Sequence, residues 1–257
     1  PGPNKARAIT AYCSAVLFIA FVLPAGLILI WSVRTFSVEF DARYWQLAAN
    51  TLSLASMATA LICSLALLLA FAVRSAPDRL NTLLGRFATL GYAIPGTVLA
   101  VGYFVPVAAL NRWVNGTFLA GSDAVLALQS GLSVVLLAYL ARYLAVAHGP
   151  LDSALLRISP SVEDAARGMG VSGMRLLRSV HLPILKPALL TAALLVFVDV
   201  MKELPITLMT RPFDWDTLAV RVFQLTTEGE WQRAALPALA IVIAGLVPVI
   251  ILSRRNH

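Results

Sequence analysis

Residues 44–73 read YWQLAANTLSLASMATALICSLALLLAFAV, a run of 30 residues without one charged side chain. A helix that crosses the hydrocarbon core of a membrane, which is about 30 Å thick, needs roughly 20 consecutive apolar residues. This run therefore predicts a membrane-spanning helix. The whole chain agrees, since 59% of its 257 residues are hydrophobic and 13% are charged, against about 25% charged residues in soluble domains. A water-soluble globular protein is excluded.

Four more uncharged runs flank the first, at 8–33, 87–111, 124–141 and 234–253. A further apolar run is interrupted by charged residues near position 200, and we count it because an odd number of spans would place the last loop on the wrong side. The sequence thus predicts an all-α integral membrane protein with six transmembrane helices in a single domain, residues 1–257. The predicted spans are 9–33, 47–73, 87–110, 124–147, 186–209 and 234–253.

The distribution of Lys and Arg predicts the side that each loop faces, because basic residues are enriched in cytoplasmic loops. With both termini in the cytoplasm, thirteen basic residues lie inside and seven outside. We therefore expect cytoplasmic termini and a cytoplasmic loop at 150–183, and we attribute the net charge of +7 to this topology and not to nucleic acid. The thirteen are Lys5, Arg7, Arg74, Arg79, Arg86, Arg142, Arg157, Arg167, Arg175, Arg178, Lys186, Arg254 and Arg255. The seven are Arg34, Arg43, Arg112, Lys202, Arg211, Arg221 and Arg233.

The sequence does not indicate a disulfide, a zinc site or an enzyme active site. Cys13 and Cys63 lie inside apolar runs, where cysteine behaves as a small hydrophobic residue. His148, His181 and His257 are scattered, with no HExxH or Gly-x-Ser-x-Gly pattern beside them. The phosphate-binding pattern GxxxxGK[ST] is absent from the sequence. We expect this chain to bind no cofactor of its own.

The longest predicted inside loop contains ISPSVEDAARGMGVSGMRLLRSVHLPILKP at 158–187. Ser161 is predicted to cap a helix whose first turn carries Glu163 and Asp164, a favourable place for negative charge. Glycines then interrupt this helix, and apolar residues at three-residue spacing predict a second short amphipathic helix before two prolines close the loop. The glycines are Gly168, Gly170 and Gly173, the apolar residues are Met174, Leu177 and Val180, and the prolines are Pro183 and Pro187.

This loop resembles the EAA loop of ABC importer permeases, in which Glu-Ala-Ala is followed by three residues, Gly, nine residues, Ile, one residue and Leu-Pro. The same spacing is present here, with Asp in place of Glu and Val in place of Ile. The resemblance implies a short coupling helix that inserts into a groove on an ATPase subunit. The matching residues are Asp164, Ala165, Ala166, Gly170, Val180, Leu182 and Pro183.

The resemblance implies a type I ABC importer permease domain in the bacterial inner membrane, a transport component without an ATP site. Its implied partners are an ATPase subunit that binds ATP and magnesium, a periplasmic solute-binding protein, membrane lipid, and a second permease half or an identical subunit. The chain starts with Pro1 instead of Met and ends shortly after Ser253-Arg254-Arg255. It is therefore expected to be either the second half of a longer permease or one subunit of a dimer.

The segment FVDVMKELPITLMTRPFDWDTLAVRVFQL at 197–225 resembles the second half of ferric-iron ABC permeases, where a Lys-Glu-Leu-Pro element follows the coupling loop. This resemblance implies ferric iron as the cargo. Permeases for thiamine, polyamines and sulfate share the EAA loop, so these solutes are alternatives. An ion-coupled secondary transporter that uses an intramembrane carboxylate such as Asp199 is a further alternative.

Asp199, Lys202 and Glu203 are spaced at i, i+3 and i+4, which places them on one face of a helix. Asp199 lies roughly 18 Å beyond Pro187 along that helix, and charged groups at such depth usually face a bundle interior or a water-filled cavity. We predict that the triad lines the translocation pathway, with an intramembrane ion pair or a helix end at the outer interface as alternatives. Its one net negative charge is too little to hold a trivalent ion tightly, so no metal site is defined.

The last outside loop carries four acidic residues that are candidates for contact with the binding protein. They are Asp214, Asp216, Glu228 and Glu230. The alternative is a solvated loop whose carboxylates are balanced by Arg211, Arg221 and Arg233.

Overall fold

The computed structural model describes residues 3–76, 78–115 and 131–255, and every regular element within these ranges is helical. The helices are α1 (Pro3–Leu17), α2 (Leu23–Glu39), α3 (Ala42–Ser75), α4 (Arg79–Ala88), α5 (Gly96–Asn115), α6 (Leu132–Leu155), α7 (Pro160–Gly168), α8 (Gly173–Leu176), α9 (Leu182–Met201), α10 (Pro205–Thr210), α11 (Leu218–Thr227) and α12 (Trp231–Arg255). Two π-helical turns, Phe18–Val22 and Leu177–His181, continue α1 into α2 and α8 into α9, and a 3-10 turn, Leu90–Ala93, precedes α5.

Five helical stretches are long and apolar enough to cross a membrane, and one bent pair of helices makes a sixth candidate. The five are Asn4–Glu39, Ala42–Ser75, Leu132–Leu155, Gly173–Met201 and Trp231–Pro248, and the pair is Arg79–Ala93 with Gly96–Leu110. The prediction of an all-α membrane protein is confirmed. Residues 124–130, which open the fourth predicted span, lie outside the described residues, as does His257.

The third predicted span, 87–110, was wrong as one continuous helix. The chain bends by 110° between Arg79–Ala93 and Gly96–Leu110. Pro95 causes the break, because a residue before proline is driven out of the helical region and proline has no N–H to donate. Ile94 accordingly adopts an extended conformation, and α5 restarts at Gly96.

The fifth predicted span, 186–209, was wrong at both ends. A continuous helical stretch starts at Gly173, in the predicted loop, and ends at Met201. The expected second short helix is therefore the first part of this span, and Pro183 and Pro187 lie within the helical stretch instead of closing the loop. Pro183 is tolerated because it falls in the first turn of α9, directly after the wide π-helical turn.

The core lies between α3, α6 and α9. Ala55, Ala58 and Ala66 on α3 are fully buried there, and such small residues let membrane helices approach closely. Large apolar side chains on α1 and α2 are exposed, as expected for helices whose surroundings are lipid. We call the end of the bundle with Ser75, Leu155 and α7 the loop end, and the end with Glu39 and the start of α12 the far end.

Candidate functional site

The first part of the candidate site is α7, which stands at the loop end. Ser159, and not the predicted Ser161, is its N-cap residue, because Pro160 favours an extended residue before it and occupies the first turn itself. Ser161 lies inside the helix, with its hydroxyl 2.7 Å from that of Ser159. Asp164 points outward with 70% of its side chain exposed. Its carboxylate lies 3.4 Å from the guanidinium of Arg167.

The turn after α7 depends on two glycines in the left-handed region. Gly170 has φ +80° and Gly173 has φ +54°, values that residues with a Cβ adopt at a cost. The N–H of Gly170 donates to the carbonyl of Arg167 at 2.9 Å and closes the turn. The structure thus brings Asp164, Ala165, Ala166 and Gly170 together in one projecting element. Val180, Leu182 and Pro183 lie at its base, on the stretch that becomes the next span.

Glu163 joins α7 to the ends of three spans, a role that the sequence did not reveal. Its carboxylate is buried and accepts from Arg74 Nε at 2.5 Å, from Arg167 Nη2 at 3.2 Å, and lies 3.2 Å from His181 Nε2. Arg74 also donates to the carbonyl of Leu155, the last residue of α6, at 2.8 Å. It donates to the carbonyl of Ile158, just beyond that helix, at 2.7 Å. We call these four residues, Arg74, Glu163, Arg167 and His181, the Glu163 anchor.

The charges around Glu163 favour its ionised form. Burial alone would raise the pKa of this carboxyl, but the hydrogen bond and charge of Arg74, with the charges of His181 and Arg167, outweigh burial and hold the pKa below its ordinary value. The anchor is therefore a buried ionic cluster with paired charges. The Glu163 side chain therefore holds α7 in a defined position relative to the ends of α3 and α6 and to the helical stretch that becomes α9.

The second part of the candidate site lies where α9 ends. The prediction that Asp199, Lys202 and Glu203 share one helix face was wrong. Pro205 would clash with the carbonyl of Met201 in a continuous helix, so the chain breaks at residues 202–204 and α10 starts at Pro205. Lys202, 62% exposed, pairs with Asp199 at 2.9 Å. Glu203 turns the other way and is buried.

Glu203 caps α10. Its carboxylate accepts from the backbone N–H groups of Ile206 and Thr207, each at 3.1 Å, and from the hydroxyl of Thr207 at 3.1 Å. A carboxylate at a helix N-terminus is stabilised by the unpaired N–H groups and by the helix dipole. The predicted pathway residue is thus held by backbone, and Tyr139 hydrogen-bonds the same Thr207 hydroxyl.

Arg142 was assigned to the cytoplasmic loop from the sequence, and this was wrong. It lies inside α6, ten residues after Leu132, which is about 15 Å along the helix and about half of the hydrocarbon thickness. The count of basic residues at the predicted inside therefore falls from thirteen to twelve, against seven outside. Its Nη1 donates to the carbonyl of Ile94 at 3.3 Å, at the break before α5.

Gly96 brings Arg142 and Glu203 together. A Cβ at Gly96 would lie 2.6 Å from Nη1 of Arg142 and 3.2 Å from Oε1 of Glu203, so only glycine leaves room for both groups. Tyr143, one residue on, donates to the carbonyl of Asp199 at 3.5 Å. The two helix breaks, at residues 94–96 and 202–204, thus meet at one polar site. We call Gly96, Arg142, Tyr143, Asp199 and Glu203 the Arg142 cluster.

The acidic residues predicted for the last outside loop lie at the far end. Asp216 pairs with Arg211 at 2.6 Å, as the solvated-loop alternative expected. Arg221 and Arg233 do not balance this loop, because both bind the buried carboxylate of Glu39, at 2.9 and 2.5 Å. Asp214, Glu228 and Glu230 are exposed. Within the described ranges, no group of three or more His, Cys, Asp or Glu side chains is arranged to hold a metal ion.

Long apolar helices, a loop helix anchored on the span ends and a charged cluster at mid-depth define a helical transport domain of the membrane. The chain belongs to the family described as "Binding-protein-dependent transport system inner membrane component", whose sequence profile matches residues 62–255. The recognition of an ABC importer permease from the loop at 158–187 is confirmed.

Two relatives illustrate the similarity. The "Fe(3+)-transport system permease protein FbpB 2" of Haemophilus influenzae is 24% identical over 248 residues, which cover 95% of this chain and 46% of the relative. The chain thus spans about half the length of that permease. The "Putative 2-aminoethylphosphonate transport system permease protein PhnV" of Salmonella typhimurium is 29% identical over 259 residues, covering 94% of this chain and 91% of the relative.

The fold is also that of a solved transporter. The crystal structure of a bacterial alginate ABC transporter in complex with an alginate pentasaccharide-bound periplasmic protein contains a chain that aligns with a TM-score of 0.77. The alignment covers 99% of this chain and 94% of that chain at 15% identity. This likeness supports the helical permease fold.

Proposed function

We propose that this chain is the permease part of an ATP-driven importer. In this proposal a partner ATPase subunit binds ATP and magnesium and docks on α7, a periplasmic binding protein delivers the cargo at the far end, and a second half or an identical subunit completes the pathway. The loop end and both termini then face the cytoplasm, as the twelve basic residues at that side favour. The family match supports this assignment.

The Glu163 anchor is the observation that carries the coupling role. Arg74 stands at the end of α3, its guanidinium binds carbonyls at the end of α6, and His181 belongs to the stretch that becomes α9. A displacement of α7 therefore moves the ends of three spans together. Rigid ionic contacts transmit such a displacement better than a flexible loop, because fewer torsions absorb it.

The outward side of α7 and its turn suits a docked partner. Asp164 supplies a charge, and Met169, with 78% exposure, supplies a flexible apolar side chain beside it. A short helix with apolar and charged positions docks in grooves, and methionine adapts its shape to them. The largely exposed Met169 side chain is unfavourable in water, so a covering protein surface would stabilise it.

Ferric iron is the first candidate cargo. It is supported by the alignment with the Haemophilus permease over almost the whole chain and by the Lys-Glu-Leu-Pro element at 202–205. The second candidate is 2-aminoethylphosphonate, which is supported by the alignment with the Salmonella permease over nine-tenths of both chains. Both candidates are small solutes that a binding protein would deliver.

Reversing the charge of Asp164 tests the coupling role. We expect Asp164→Lys to insert normally, because this side chain is exposed, but to lose at least about tenfold of the ATP hydrolysis that loaded binding protein stimulates in proteoliposomes. Asp164→Glu, which restores the residue of the EAA pattern, is the matched control and should keep full stimulation. Parental stimulation in Asp164→Lys would contradict the assignment of α7 to ATPase docking.

A methyl group at Gly96 tests the Arg142 cluster. We expect Gly96→Ala to push the guanidinium of Arg142 aside and reduce cargo uptake several-fold, with little change in melting temperature, because the atom that must move is the end of a flexible side chain. Gly102→Ala is the control on the same helix, since a Cβ there meets nothing within 4 Å. Equal uptake by the two variants would contradict a role of the Arg142 cluster in cargo transport.

A further inference from the structure

Arg142 is an arginine that cannot face lipid. Its guanidinium lies about 15 Å along α6, near the middle of the hydrocarbon thickness, and its side chain is half-buried. A charged group at this depth is expensive in lipid and is found facing a bundle interior or a water-filled cavity. The guanidinium of Arg142 therefore faces a bundle interior or a water-filled cavity, and in the proposed permease that cavity is the translocation route.

The carboxylates near Arg142 are already engaged by other groups. Glu203 is held by two backbone N–H groups and one hydroxyl of α10, and Asp199 pairs with Lys202. Within the described part of the chain, Arg142 has no carboxylate within 4.0 Å, and the only residue whose ring it approaches is Tyr143, at 5.7 Å. The cluster thus holds one cation, Arg142, that forms no ion pair within 4.0 Å, beside two carboxylates that bind other groups.

The donors of Arg142 are incompletely used. Its Nε is buried and makes no hydrogen bond, and Nη1 makes one long bond, to the carbonyl of Ile94 at 3.3 Å. A guanidinium carries five N–H donors in a planar fork that fits two oxygens of a phosphonate, phosphate or carboxylate group. Nε is sealed from solvent, so an oxyanion would reach the guanidinium through its two Nη groups, which carry four of the five donors and make one hydrogen bond.

We propose that Arg142 binds an oxyanion group of the cargo at the midpoint of the pathway. This rests on the proposed permease function and narrows its cargo to solutes that carry phosphonate, phosphate or carboxylate oxygens. 2-Aminoethylphosphonate offers such a group. A ferric ion satisfies the same site only as an oxyanion complex, for example ferric citrate.

The test replaces the charge at this position and then restores it chemically. The chain has two cysteines, so Cys13→Ser and Cys63→Ala provide a background in which Arg142→Cys is the only thiol of this chain. One reagent, 2-aminoethyl methanethiosulfonate, leaves an ammonium group on that thiol, and a second, 2-sulfonatoethyl methanethiosulfonate, leaves a sulfonate. Uptake of labelled 2-aminoethylphosphonate and of ferric citrate is measured separately in proteoliposomes with the ATPase and the binding protein.

We expect Arg142→Cys to reduce uptake about tenfold or more, the aminoethyl reagent to restore most of it, and the sulfonate to restore none. Arg142→Lys, which keeps the charge without the fork, should retain an intermediate uptake. Leu137→Cys, an exposed apolar position elsewhere on α6, is the control and should respond alike to both reagents. The probe that shows this pattern identifies which oxyanion source the site accepts.

Three outcomes with the Arg142→Cys protein overturn the proposal. They are a thiol at position 142 that neither reagent modifies in the inserted protein, equal restoration by both reagents, and parental uptake by Arg142→Cys. Uptake of neither probe by the parent, with ATP hydrolysis still stimulated by the binding protein, also overturns it but leaves the permease function intact. Absence of that stimulation in the parent would count against the proposed function itself.

Discussion

Replacing Glu163 with glutamine should loosen α7 from the membrane spans and uncouple ATP hydrolysis from transport. The substitution keeps the size of the side chain but removes the negative charge that faces Arg74 at 2.5 Å and His181 at 3.2 Å. Breaking a buried ion pair by removing one partner costs about 3 kcal/mol or more, because the other charge is left uncompensated. We expect a lower melting temperature in detergent and a severalfold loss of transported cargo per ATP.

The matched control is Asp164→Asn, the next residue on the same helix. Its carboxylate is exposed and meets only Arg167, at 3.4 Å, so an amide there should leave the melting temperature unchanged. If Glu163→Gln melts at the parental temperature and transports at the parental rate per ATP, the anchor does not hold α7 in the working protein.

The pH dependence gives a second measurement of the same contact. The folded protein lowers the pKa of Glu163, so the ionised form stabilises the fold. This contribution is complete above the ordinary carboxyl pKa, about 4.3, and is lost as the pH falls through the lower pKa of the folded state. His181, which Glu163 contacts, is neutral above about pH 7. We therefore expect the difference in stability between the parent and Glu163→Gln to be constant above that pH and to shrink as Glu163 is protonated below about pH 4.

Adding a single methyl group at Gly91 should prevent the correct packing of the bent third span. A Cβ there would lie 1.8 Å from the carbonyl oxygen of Ala141 and 2.8 Å from its carbon, and both atoms belong to the backbone of α6. No side-chain rotation relieves that overlap, so the 3-10 turn must move away from α6. Overpacking usually costs 1 to 3 kcal/mol, and we expect Gly91→Ala to exceed about 3 kcal/mol because backbone must shift.

Gly149→Ala is the control for this effect. Gly149 lies on α6, and a Cβ there meets nothing within 4 Å, so alanine should be neutral or stabilising. The measurement is the yield of monodisperse protein in detergent together with its melting temperature. A Gly91→Ala protein with parental yield and melting temperature would mean that the turn does not pack on α6 at this distance.

Features that depend on neighbouring residues were predictable from the sequence. The uncharged run at 44–73 predicted a span at 47–73, and the structure has a helix at Ala42–Ser75, because hydrophobic length is a property of the segment itself. The turn at Gly170 followed from the interruption of α7 by glycines, and the structure gives that residue φ +80°.

The Glu163 anchor could not be predicted from local sequence patterns. Arg74 was only one more basic residue at the end of a span, and Glu163 was only an acid in the first turn of a helix. The two residues are 89 positions apart. One signal was available in the sequence, since an arginine that ends an apolar span and an acid in a loop on the same side are able to meet. This signal does not indicate which acidic residue of the loop is buried against the arginine.

The sequence by itself determined that the chain is a helical membrane protein, where its loop helix lies and which family it resembles, because each depends on composition and spacing within one segment. Only the tertiary structure decided where the charged groups inside the bundle lie. From the sequence, Arg142 was counted among the basic residues of the cytoplasmic side. In the structure, the break at Pro95 brings the carbonyl of Ile94 within 3.3 Å of its guanidinium, and Glu203, beside the break at Pro205, lies next to Gly96 as Arg142 does. Groups that lie far away in the sequence therefore surround this charge inside the bundle.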